Sequence, residues 1–65
     1  PHETLSNREF QVLVMLAQGK SASAIAADLM ISVKTVSTYR SRILEKLGLA
    51  SNAEMVRYAL EKNLI

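Results

Sequence analysis

Sixty-five residues make one domain at most, and a chain of this size buries only about 60% of its unfolded surface. It has no cysteine and a single histidine, His2, so no disulfide, zinc site or other cofactor is expected. Two tyrosines and one phenylalanine leave the core to Leu, Ile, Val, Met and Ala, and the net charge of +2 is by itself a weak pointer to nucleic acid.

The first helix is expected over 7–18. Ser6 can cap it, and Glu9, three residues later, can reach back to complete a capping box, with Leu5 and Phe10 in the staple positions. Val12, Leu13, Leu16 and Ala17 follow at helical spacing, and Gly19 is a natural stop. Ser21 should cap a second helix, 22–30, with small Ala22, Ala26 and Ala27 and a buried stripe of Ile25 and Leu29. About two residues separate it from the next cap, Ser32, and so tight a link between short helices is the helix-turn-helix arrangement. The third helix should run over 33–47, ending at Gly48, with Lys46 in its last turn suiting the helix dipole. A second capping box, Ser51 to Glu54, opens a fourth helix, 52–62, on which Ala53, Val56 and Leu60 are expected to face the core. No strand pattern, repeat or linker interrupts this. The expected architecture is all-α: a compact four-helix helix-turn-helix domain over 1–65.

The longest apolar run, 12–17, is far below the roughly 20 residues a bilayer span needs, so neither membrane insertion nor a signal peptide is expected. The opening Pro1, in place of Met, suggests a domain excised from a longer protein.

Charge concentrates in the third helix. Residues 33–47 hold four cations (Lys34, Arg40, Arg42, Lys46) and one anion, Glu45, while the rest of the chain is slightly acidic. That is the pattern of an electrostatic contact with phosphates, although a solvated basic face would look the same. At about 100° per residue, Ser37, Thr38, Ser41 and Glu45 fall within about 60° of Lys34, with Arg42 at about 80°. Val36, Ile43 and Leu47 lie opposite. The polar side holds what a helix in the major groove needs. Lys34 and Arg42 can donate to guanine, serine and threonine hydroxyls can meet either base type, and the Thr38 methyl can touch a thymine methyl. Thr35 and Tyr39 flank this strip with hydroxyls suited to phosphate oxygens. Arg40 falls toward the packing side, where it can reach a phosphate or pair with Glu9.

These residues resemble the LuxR/GerE type of helix-turn-helix domain, and in particular the C-terminal effector domain of NarL/FixJ-type bacterial response regulators. The resemblance is carried by Leu5-Ser6 with Arg8-Glu9, Val12-Leu13, Ala17 with Gly19, Ser21 with Ile25-Ala26 and Leu29, Ser32 with Lys34-Thr35-Val36, and Ile43 with Lys46-Leu47. It covers nearly the whole chain without insertion. It implies base contacts at Ser37, Thr38 and Ser41, beside the Lys34 and Arg42 read from their chemistry. It implies phosphate contacts at Thr35, Tyr39 and Lys46, to which the cap Ser32 is added. It also implies a homodimer through the fourth helix at Met55, Val56, Tyr58 and Ala59, weak in the isolated domain. Ser37 stands where the family often has lysine, and Tyr39 where histidine is common, changes that shift sequence preference without threatening the fold.

The function expected is sequence-specific binding of double-stranded DNA as the output domain of a bacterial transcription regulator, acting in the cytoplasm at the nucleoid, with RNA polymerase a candidate partner. Four phosphates per subunit would give a dimer a log–log salt slope of about −7. The competing reading is a helical protein–protein module that binds no DNA. An enzyme is not expected: there are no paired carboxylates, phosphate loop or cysteine nucleophile, and too little chain to enclose a substrate. No small-molecule ligand is expected either.

Overall fold

The computed structural model describes residues 2–65, apart from the side chain of His2. The expectation that His2 binds no metal therefore lies outside what is described. A 3-10 turn, His2–Thr4, precedes four α-helices: α1 (Asn7–Ala17), α2 (Ala22–Leu29), α3 (Val33–Leu47) and α4 (Asn52–Glu61). The all-α expectation holds, with helix ends within one residue of those expected from the sequence; the 3-10 turn is an addition to it.

Every helix begins the same way. Ser6, Ser21, Ser32 and Ser51 are extended N-caps, and each side-chain oxygen accepts a hydrogen bond from the backbone N–H three residues on. At α1 the box closes, because Ser6 N–H also donates to Glu9 Oε1 at 2.8 Å. At α4 only the serine half forms, from Glu54 N–H to Ser51 Oγ.

Every helix also ends the same way. The paired bonds are Gly19 N–H to Leu16 O with Lys20 N–H to Met15 O, then Met30 to Ala27 with Ile31 to Ala26, Gly48 to Glu45 with Leu49 to Leu44, and Asn63 to Leu60 with Leu64 to Ala59. These are Schellman motifs, each needing one left-handed residue. Gly19, Gly48 and Asn63 suit that conformation; Met30, at φ 57°, does not. Ile31, Leu49 and Leu64, the next residues along, turn back and pack on the core. The expected second helix thus loses its last residue, Met30, to the turn.

The core is a single cluster. α1 supplies Val12, Leu13 and Leu16, α2 supplies Ile25 and Ala26, α3 supplies Val36 and Ile43, and α4 supplies Met55. α1 is the hub: α3 and α4 both pack on it, and α2 packs chiefly on α3. α3 is therefore held from behind by two helices.

α4 departs from expectation. Met55 and Ala59 are fully buried, whereas Ala53 and Leu60 are exposed, Leu60 at 59%. Both stripes have helical spacing, so periodicity alone could not choose between them. In the fold α4 packs on α1 with Met55 and Ala59 inward.

Candidate nucleic-acid interface

Hydrogen bonding and packing orient α3 before any ligand arrives. Val36 and Ile43 are buried beneath it, while Thr35, Tyr39, Arg40, Leu44 and Leu47 are half-buried along its flanks. What remains exposed is a strip two side chains wide. One row is Val33, Ser37, Ser41 and Glu45; the other is Lys34, Thr38, Arg42 and Lys46. Residues four apart on a helix are neighbours, so each row is a continuous ridge. All five expected base-contacting residues lie on this strip, free of tertiary cover. Val33, at the head of the first row, is 47% exposed.

Local bonds shape what the strip can offer. Thr38 Oγ1 donates to the Lys34 carbonyl at 3.1 Å, leaving its methyl and an oxygen lone pair for a partner. The Ser32 and Thr35 hydroxyls lie 2.9 Å apart, and Ser32 Oγ also accepts from Thr35 N–H. Both hydroxyls sit at the helix entrance, where expected phosphate contacts have to share them with the cap. The Tyr39 ring packs against the core cluster.

The four cations of α3 divide into two pairs. Arg40 Nε donates to Asn52 Oδ1 at 2.6 Å, joining α3 to the start of α4. Neither Glu9 nor an open phosphate-facing position is where its head rests. Lys46 Nζ donates to Glu9 Oε1 at 2.8 Å and lies 3.5 Å from the Thr4 carbonyl. Lys46, expected at phosphates, is exposed but has its charge paired with Glu9. Among the described residues Lys34 and Arg42 have no intramolecular partner. A shallow depression of about 400 Å³ at the Arg42 end of the helix is lined by Glu9, Arg42, Glu45 and Lys46.

Glu9 anchors this corner. Its side chain is almost entirely covered, yet it accepts from both Lys46 and Ser6 N–H. The Lys46 hydrogen bond, then the Ser6 backbone bond, hold its carboxyl below the ordinary value of 4.5, against a smaller opposing effect of burial. A depressed folded-state pKa contributes stability that is complete above about pH 4.5 and is lost as pH falls through the lowered value. Glu9→Gln should therefore be less stable than the parent near pH 7, with the difference shrinking toward pH 3. Thermal melts across that range check it; a constant difference would contradict the assignment.

On α4, Met55 and Ala59 cannot serve as the expected dimer surface, because the monomer already buries them completely. Val56 and Tyr58 are half-buried. The apolar surface that α4 offers is Ala53, part of Val56, and Leu60.

Among the described residues no three metal-binding side chains cluster, and no helix is long and apolar enough to cross a membrane.

Comparison with known proteins shows the family. Residues 3–59 match the family model GerE, described as bacterial regulatory proteins, luxR family. Oxygen regulatory protein NreC of Staphylococcus aureus, in strains JH9, JH1 and Mu3, is 45% identical over all 65 residues. The chain spans 30% of the length of these relatives.

Proposed function

The chain belongs to the luxR family of bacterial regulatory proteins, a class that binds DNA to regulate transcription, and from that premise we propose that it is the sequence-reading output domain of a response regulator. Its α3 lies in the major groove of cytoplasmic DNA, with Ser37, Thr38, Ser41, Lys34 and Arg42 toward the base edges. Ser32, Thr35 and Tyr39 lie toward the phosphates, while Lys46 belongs to the fold. Two copies associate weakly through the exposed side of α4 around Val56 and Leu60 and read paired half-sites at a fixed spacing.

The observation that carries the reading is the uninterrupted exposed strip on a helix whose other sides are occupied. A solvated face would need no such division of labour, in which two cations are tied to acceptors of the fold and two are left outward on the same strip as short hydroxyls.

Selection from a random duplex library should enrich one motif, as paired half-sites when two domains are tethered. With Arg40 and Lys46 engaged internally, each subunit brings about two phosphate-neutralising cations, so a dimer's log–log salt slope should be about −4. No enriched motif, or a slope near zero, would favour the protein–protein module instead.

A further inference from the structure

Two exposed apolar side chains stand at the entrance of α3. Met30, in the turn before it, is 92% exposed, and Val33, its first residue, is 47% exposed. Neither is required there by the fold. Met30 occupies the left-handed position of a Schellman motif whose three counterparts are Gly19, Gly48 and Asn63. A side chain with a Cβ is disfavoured at such a φ, and a glycine would close the same turn with less strain. Val33 heads the exposed ridge that continues through Ser37 and Ser41. It is the apolar member of a strip that is otherwise hydroxyl and charge.

We propose that Val33, flanked on its outer side by Met30, is a specificity-determining residue that contacts the C5-methyl group of a thymine in the operator half-site. The inference rests on the reading of α3 as the groove helix and adds a base to it. The N-terminal residues of a recognition helix are the ones that reach base edges. Among the four bases only thymine presents a methyl group in the major groove, and an apolar side chain answers it. Lys34, the next residue, brings the cation that draws this end of the helix to the duplex. Ser37, one turn further along the ridge, meets the neighbouring base pair. The first base step is thus read by shape and apolar contact, and the following steps by hydrogen bonds.

The test uses the duplex recovered by selection, remade with deoxyuridine for thymidine at each position in turn. That exchange removes one methyl group and nothing else. Burying a group of that size is worth about fourfold in affinity. One position per half-site should show that loss with the parent domain. The loss should vanish in Val33→Ser and persist in Thr38→Ser, which removes the other methyl group on the strip. Met30→Gly should raise the melting temperature while weakening binding to the thymidine duplex a few-fold, a pairing that a purely structural Met30 would not give. If no position responds to deoxyuridine, or the response persists in Val33→Ser, or it moves to Thr38→Ser, the inference fails while sequence-specific binding stands. If selection enriches no duplex, the groove-helix reading fails and this inference falls with it.

Discussion

Met55→Ala should destabilise the free domain by about 2–5 kcal/mol, the usual cost of emptying a large apolar side chain from a packed core. Met55 is fully buried in the cluster that joins α1, α2, α3 and α4. A domain of this length has about 3–10 kcal/mol in total, so the loss should appear as partial unfolding at growth temperature. The melting temperature should fall by more than about 10 °C. Leu60→Ser, five residues on and on the exposed side, should change stability by less than about 0.5 kcal/mol and weaken paired-site binding instead. The two variants separate core from contact surface on a single helix. If Met55→Ala melted like the parent and lost only paired-site binding, the packing of α4 described above would be wrong.

Ser37→Glu should abolish specific binding at a stroke, with a loss of about 100-fold or more in affinity for the selected duplex. A carboxylate only accepts hydrogen bonds, and the major-groove edges are rich in acceptors such as guanine O6 and N7. Placed there it also meets the phosphate field, and like-charge juxtaposition costs several kcal/mol. Stability should be nearly unchanged, because Ser37 is exposed and glutamate favours helix more than serine does. Ser37→Ala removes only the hydroxyl and should cost about fivefold at most. Fluorescence anisotropy with labelled duplex, alongside a melt of each variant, checks both. Undiminished binding by Ser37→Glu would remove α3 from the groove and require another face of the domain to carry the duplex.

The physical basis of each expectation also explains how far it could be read in advance. The four serine caps and the Gly19 and Gly48 stops are local events, settled within a few residues by orphan backbone groups that need partners. The strip on α3 was likewise legible, because one side of a helix is defined by residues three and four apart. Met30 was not: its place in the helical pattern hid a left-handed turn forced by the tight approach to Ser32. The Glu9–Lys46 bond joins residues 37 apart, and Arg40–Asn52 joins residues 12 apart, so neither has a local signature. Those two bonds matter for the site, since they subtract two cations from the face that composition alone credits to DNA.

By itself, then, the chain determined its helices, their caps and the short-hydroxyl face of α3, since local hydrogen bonding and 3.6-residue periodicity act without reference to the rest of the molecule. Tertiary packing decided which of the two apolar stripes of α4 turns inward, which cations remain free, and that Val33 stands in the open. Those outcomes depend on how α1 receives its neighbours and on partners distant in sequence, and one helix's periodicity is silent about both.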